Sequence, residues 1–221
     1  MTTEAVATWW WRPPRANWTN FGDELGPRIL ERLGLSVRRV PLEHAELVTV
    51  GSIMEHVAKS ARAGLVVWGS GFIKPGSCDR RLDIRAVRGR LTAEALGVEV
   101  PTGDPGLLVS ALWPRPPVRF RTGFVPHYAD RSCPSWADTV IDVTAPVDDV
   151  VAAIGACSSI ASSSLHGVIV AQSFGIPALR IPHKKVHGGD FKWTDHLTAL
   201  DRPIEAIQHS LTRSLGLTES V

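Results

Sequence analysis

The chain has few cysteines, no long apolar run and no nucleotide fingerprint, and each shortage closes a class of function. Its three cysteines, Cys78, Cys133 and Cys157, stand far apart and are odd in number. They form neither a disulfide framework nor a Cys-x-x-Cys pair, and a cytoplasmic, reducing setting fits them. No apolar stretch reaches the ~20 residues that a membrane-spanning helix needs. The opening residues, Met1-Thr-Thr-Glu-Ala5, lack a basic start and an apolar core, so they do not read as a signal peptide. Residues 69–74 read Gly-Ser-Gly-Phe-Ile-Lys, which is not Gly-x-Gly-x-x-Gly. A Gly-x-x-x-x-Gly-Lys-Ser/Thr phosphate loop is missing too, which leaves nicotinamide-dependent redox chemistry little support. So are His-Glu-x-x-His, the Gly-x-Ser-x-Gly elbow and a Cys/His/Asp triad. Internal repeats are missing as well, and low complexity is confined to the serines at 158–164.

What remains is an ordinary globular composition. Of 221 residues, 44% are hydrophobic and 21% charged, enough for one large domain or two compact ones. A net charge of +2 does not point to nucleic acid. Basic residues are nonetheless concentrated: residues 62–121 hold ten Lys or Arg against five Asp or Glu. Arginine outnumbers lysine 19 to 5. That excess suits bidentate binding of carboxylate and phosphate, and genomic base composition produces the same excess.

Short apolar runs alternate with helical periodicity. Strands are expected at 6–11, 37–42, 47–50, 65–68, 82–87, 118–125, 139–143, 159–162 and 178–181. Helices are expected at 20–33, 53–63, 91–96, 147–156, 165–174, 194–200 and 204–215. Such alternation predicts an α/β fold with parallel sheets and helices on both faces. Residues 101–117 carry five prolines and two glycines and read as a linker. The expected architecture is therefore two small domains, 1–110 and 111–221, facing a cleft, with a single continuous sheet as the alternative. Ligands of such sheets bind beyond the carboxyl ends of the strands.

Six segments could carry chemistry. In Ser158-Ser-Ile-Ala-Ser-Ser-Ser-Leu-His-Gly167, Ser162, Ser163 and Ser164 would meet a helix N-terminus, where unpaired N–H groups and the dipole attract anions. His166 would lie in the first turn. Capping and a satisfied buried histidine are the plainer reading. The acidic loop Asn20-Phe-Gly-Asp-Glu24, with Asn20, Asp23 and Glu24, could bind sugar hydroxyls or complement a helix dipole. Gly69, Ser70 and Gly71 form a turn that lets a ligand approach the backbone. Arg85, Arg88 and Arg90 surround a strand-to-helix turn as an anion site or a solvated basic turn. His127, in Phe124-Val-Pro-His-Tyr128, is a substrate contact or a loop residue. His183-Lys-Lys-Val-His187 has metal-like spacing, but its lysines and the glycines after it fit a basic loop better than zinc.

Several of these segments, in order, resemble the polysaccharide pyruvyl transferase family. They are Asn-Phe-Gly-Asp-Glu-Leu-Gly-Pro (20–27), Val-Val-Trp-Gly-Ser-Gly (66–71), Val-Arg-Gly-Arg-Leu-Thr (87–92), Gly-Asp-Pro (103–105), Phe-Val-Pro-His-Tyr (124–128), Ser-Ser-Leu-His-Gly (163–167) and Phe-Lys-Trp-Thr-Asp (191–195). The resemblance implies two Rossmann-like domains similar to the glycosyltransferase B architecture. It also implies transfer of a pyruvyl group from phosphoenolpyruvate to two hydroxyls of one sugar as a cyclic ketal. Phosphoenolpyruvate would be the donor substrate, with no resident cofactor, and no residue is assigned to a metal. The acceptor would be an oligosaccharide or a lipid-linked saccharide, reached from the cytoplasm or the inner membrane face.

On that resemblance His166 is the general acid. Arg88, Ser162, Ser163, Ser164 and the turn Gly69, Ser70, Gly71 are donor contacts, with Arg180 or Lys184 as further sources of positive charge. Asn20, Asp23, Glu24 and His127 are acceptor contacts. A helix N-terminus disfavours imidazolium whereas a bound dianion favours it, so His166 is expected to take up its proton with the donor. The other readings are a sugar-nucleotide glycosyltransferase-like enzyme and a non-catalytic binding protein on the same fold.

Overall fold

The computed structural model describes residues 4–14, 17–183 and 188–216. In chain order its first half comprises β1 (Val6–Trp9), α1 (Phe21–Arg32), β2 (Val37–Arg39), β3 (Leu47–Val48), α2 (Met54–Ser60), β4 (Val66–Trp68), β5 (Asp83–Ala86) and α3 (Arg90–Leu96). Then come α4 (Val109–Leu112), β6 (Phe120–Val125), β7 (Thr139–Val140), α5 (Val147–Gly155), β8 (Cys157–Ser162), α6 (Leu165–Ser173), β9 (Ala178–Arg180), α7 (Phe191–Leu197) and α8 (Ile204–Ser214). The expected alternation is present, with boundaries shifted by a few residues.

The strands form two parallel sheets, ordered β2-β1-β3-β4-β5 and β7-β6-β8-β9. Their apolar runs suit strands covered on their faces, and the α/β alternation fits Rossmann-like folds. Around the first sheet the core gathers Val48, Ile53, Met54, Val57, Leu65, Val67 and Phe72, all buried. Trp68, at the end of β4, donates its indole N–H to the Leu211 carbonyl of α8 at 3.0 Å. In the second sheet Phe124, Val125 and Ile160 are buried, as are Ile154 of α5 and Ile169 and Val170 of α6.

The chain divides into two compact units that are discontinuous in sequence. One holds Met1–Trp11, Gly26–Pro105 and Gly188–Val221; the other holds Arg12–Leu25 and Gly106–His187. Two contiguous halves meeting at 110/111 do not describe this pattern. The tail joins the first unit because α7 and α8 pack beside α3 and β5.

The proline-rich segment is not an open linker. Residues Pro105–Leu108 form a 3-10 turn that runs into α4, and Leu107, Leu108 and Val109 are fully buried. Ser173 of α6 ties it down, donating to the Leu107 carbonyl at 2.7 Å and accepting the Ser110 N–H at 2.9 Å. Proline at the first position of a helical turn loses no needed hydrogen bond. Burial of the apolar Leu-Leu-Val that follows then outweighs the linker-like composition.

Candidate functional site

In the second unit β8 ends at Ser162, Ser163 makes the turn, and Ser164 caps α6. The Ser162 hydroxyl is buried and fully used. It accepts the Ser164 N–H at 3.0 Å and points its proton at the Val125 and Ser164 carbonyls, both 2.8 Å away. Ser163 links two neighbours: it donates to Asp130 Oδ2 at 2.6 Å and accepts the His127 N–H at 2.9 Å. Ser164 forms no side-chain cap bond to the helix. Of the three serines, then, two shape the turn and the third leaves its hydroxyl at the start of α6. A Cβ on Gly167 would stand 2.5 Å from Ser162 Oγ and 2.7 Å from a Val125 methyl, so the glycine lets α6 lie close on the sheet.

His166 is the second residue of α6 and is 8% exposed. Its ring lies against Gly22 in the first turn of α1. A Cβ at Gly22 would fall 2.3 Å from His166 Nδ1 and 2.9 Å from Cγ. The imidazole therefore occupies space that any side chain at position 22 would need. Beside it, α1 begins with the Asn20 carbonyl accepting the Asp23 and Glu24 N–H groups, each at 3.1 Å. The Asn20 amide donates to Asp23 Oδ2 at 2.7 Å. Asp23 also acts on Tyr128, whose phenol is raised above its ordinary pKa by burial and then by the Asp23 charge. The Tyr128 ring lies 4.1 Å from that of His127 and 5.4 Å from that of Trp18.

Asp130 organises the other side of the serine turn. Its Oδ1 accepts the N–H and hydroxyl of Ser132, and His183 Nε2 stands 3.4 Å away. Burial alone would raise this carboxyl. The hydrogen bonds from Ser132 and Ser163, with His183 nearby, outweigh it and hold the pKa below the ordinary carboxylate value. His166 thus packs on Gly22, next to Asp23, whose charge acts on Tyr128; the Tyr128 ring lies on His127, which Ser163 links to Asp130. Glu24 differs from its neighbours, because Arg12 grips both its carboxylate oxygens and leaves it an ion pair.

The remaining candidates belong to the first unit. Ser70 is buried and its hydroxyl donates to the Thr49 carbonyl. Gly69 has φ +89°, and a Cβ there would meet the Pro105 ring at 2.1 Å. At Gly71 a Cβ would fall 2.5 Å from the Arg88 guanidinium carbon. The turn 69–71 is therefore glycine-rich because backbone passes a proline ring and a buried arginine at close range.

Arg88 is fully buried. Its Nε and Nη2 pair with Asp195 Oδ2 at 3.0 and 2.9 Å, Nη1 donates to Ser52 Oγ at 2.6 Å, and Nη2 also reaches the Phe72 carbonyl. Asp195 further accepts the N–H and hydroxyl of Thr92 at 2.8 and 2.7 Å. Burial lowers the Arg88 pKa, against the opposing charges of Asp195, Asp104 and Glu55. Neighbouring His196 is pushed down to about 3 by burial and by Arg88. Each face of the Arg88 guanidinium thus serves the interior of its own unit. Arg180 closes β9 in the second unit, in register with Ser162. Lys184 and His187 lie outside the described residues, and no cluster of metal-ligating side chains occurs among those described.

Sequence reasoning passed over Asp130, Tyr128, Trp18 and the contact role of Gly22. Tyr128 and Gly22 stood inside motifs already singled out, whereas Asp130 matters through a hydrogen bond that spans 33 residues.

No family profile matches the chain. A succinoglycan biosynthesis protein does resemble it. That relative, ExoV of Rhizobium meliloti (strain 1021), is 33% identical over 193 residues, covering 80% of this chain and 60% of its own length. Uncharacterized protein L143 of Acanthamoeba polyphaga mimivirus is 30% identical over 170 residues, covering 67% of this chain and 58% of its own. The chain therefore spans about three fifths of the length of the curated relatives it matches. No helix among the described residues is long and apolar enough to cross a membrane.

Proposed function

We propose that the chain serves polysaccharide biosynthesis by transferring a pyruvyl group from phosphoenolpyruvate to two hydroxyls of one sugar. The observation that carries this reading is the position of His166: in the first turn of α6, behind a serine turn, with its ring against the first turn of α1. Its likeness to a succinoglycan biosynthesis protein supports the pathway class. The two-domain arrangement similar to glycosyltransferase B belongs to the same proposal.

In this scheme the donor's anionic groups lie at the N-terminus of α6, near Ser164 and Arg180. Helix N–H groups and an arginine suit both phosphate and carboxylate. His166 gives a proton to C3 of phosphoenolpyruvate, which makes C2 electrophilic. One sugar hydroxyl attacks C2, the C2–O bond to phosphate breaks, and the second hydroxyl closes the ketal. Of the two hydroxyl protons, one restores His166 and the other leaves with phosphate. Nothing is oxidised or reduced, so the reaction as written needs no redox cofactor. A general acid of this kind contributes roughly 10²–10⁴-fold.

Asn20, Asp23 and the His127–Tyr128–Trp18 rings form the acceptor side. Aromatic faces take the C–H faces of a sugar while the carboxylate takes its hydroxyls. Gly69, Ser70, Gly71, Ser162, Ser163 and Arg88 serve as structural support, and Glu24 as partner of Arg12. The acceptor is an oligosaccharide or a lipid-linked saccharide.

The test is phosphate release from phosphoenolpyruvate with a panel of oligosaccharide acceptors, together with acid-labile pyruvate on the product. Wild type should show both and His166→Ala neither, with unchanged circular dichroism. A folded His166→Ala protein that turns over at the wild-type rate removes the proposal.

A further inference from the structure

The three arginines of the Arg85-Ala-Val-Arg-Gly-Arg90 turn go three separate ways. Arg88 enters the core, and Arg90 pairs with Asp201. Arg85 instead faces a cavity of about 680 Å³ in the first unit, shared with residues of α8 and the loop before it. Arg202, His209, Ser210 and Arg213 line the same cavity. On α8, residues 209, 210 and 213 fall on one face, at helical i, i+1 and i+4 spacing. The helix is held against β4 by the Trp68 indole, which donates to the Leu211 carbonyl and to Ser214 Oγ. That anchor sets the cavity wall.

The charge balance of this cavity is one-sided. Asp83 takes one edge of Arg85, at 3.1 Å from Nε and 3.0 Å from Nη2. Arg202 donates one N–H to the Thr102 carbonyl at 2.9 Å and keeps the rest of its fork. Among the described residues the side chains of His209 and Arg213 make no hydrogen bond or ion pair. Three arginines therefore line one concavity, and no carboxylate is among its described lining residues. Positive charges lining one concavity favour a bound anion that offers several oxygens.

We propose that this cavity is a binding site for a phosphate-bearing anion of the diphosphate class. Guanidinium forks match phosphate oxygens in pairs, and three of them match two linked phosphates better than one carboxylate. The site lies wholly on unit-one residues and does not depend on the pyruvyl-transfer reading. A free diphosphate and the headgroup of a diphosphate-bearing lipid present the same chemistry.

The experiment has two arms, each run on the whole chain. The first titrates inorganic pyrophosphate by calorimetry. The second measures co-sedimentation with phosphatidylcholine vesicles carrying a polyprenyl diphosphate, against phosphatidylcholine alone. Wild type and the Arg85→Gln/Arg213→Gln double variant are compared, with Arg213→Gln alone as the second variant because that side chain is exposed on α8. Binding in at least one arm, weakened at least tenfold by the double variant and measurably by Arg213→Gln, supports the site. Pyrophosphate alone assigns it to a soluble ligand, and vesicles alone to a headgroup. No binding in either arm, or binding that the folded variants retain in full, overturns it.

Discussion

Gly22→Ala probes the contact on which the candidate site is built. The added Cβ would stand 2.3 Å from His166 Nδ1, 2.9 Å from Cγ and 3.2 Å from the histidine Cβ. Because even the stem of His166 is crowded, swinging the ring tip away does not relieve the overlap. The histidine must move by roughly 1 Å within a buried turn, and overpacking of this kind costs about 1–3 kcal/mol. Alanine is also the better helix former, which returns about 1 kcal/mol. The net expectation is a loss of up to about 2 kcal/mol, read from urea midpoints. On a His166→Ala background the ring atoms at 2.3 and 2.9 Å are gone and only the Cβ contact at 3.2 Å remains, so the same substitution should cost clearly less than it does beside the histidine. Catalytically, a displacement near 1 Å is worth about 10²-fold in turnover. The reasoning fails if Gly22→Ala changes stability by the same amount with and without the His166 ring.

Other perturbations follow from the first unit's buried charges. Asp195→Ala leaves the Arg88 guanidinium without its counter-ion in the core and should cost about 3–5 kcal/mol in denaturant unfolding. An Asp195→Ala protein unfolding at the wild-type midpoint would show that the pair carries no weight. Gly69→Ala combines a left-handed backbone with collision against Pro105 and should lower the melting temperature, with soluble yield as a second readout. His196 has its pKa pushed down to about 3, so the folded state refuses a proton that the unfolded chain accepts below about 6.5. Stability is then full above that value and falls as pH drops towards 3, by about 2 kcal/mol at pH near 5. Unfolding midpoints between about pH 7 and 5 should show this slope, and His196→Gln should flatten it. Asp130 is held below the ordinary carboxylate value, so the folded state keeps it ionised to lower pH than the unfolded chain does. Its contribution persists through that window and is lost only on further acidification.

Much of the fold is legible in the sequence because its signals are local. The apolar run 65–68 ending in glycines marks β4, and the glycine at 97, at φ 64°, stops α3 as a left-handed cap. The linker expectation over 101–117 failed because proline content is a local cue, whereas burial of Leu107, Leu108 and Val109 is decided by tertiary packing. The site divides the same way. The serine run, His166 and the Asn20–Asp23 turn stand out by residue type at element junctions. Whether an arginine faces a ligand or the core does not. Arg88 has the same sequence surroundings as Arg85, yet Asp195, 107 residues away, draws it inside. Glu24 is likewise diverted by Arg12, across an irregular segment that no periodicity describes.

Calorimetric titration with phosphoenolpyruvate tests the central claim without knowledge of the acceptor. Wild type should bind it saturably. Binding by His166→Ala should be weaker, and the proton uptake that accompanies wild-type binding in buffers of different ionisation enthalpy should disappear. Wild-type protein that binds no phosphoenolpyruvate, or a His166→Ala variant that binds it with the same affinity and proton uptake, would contradict the account.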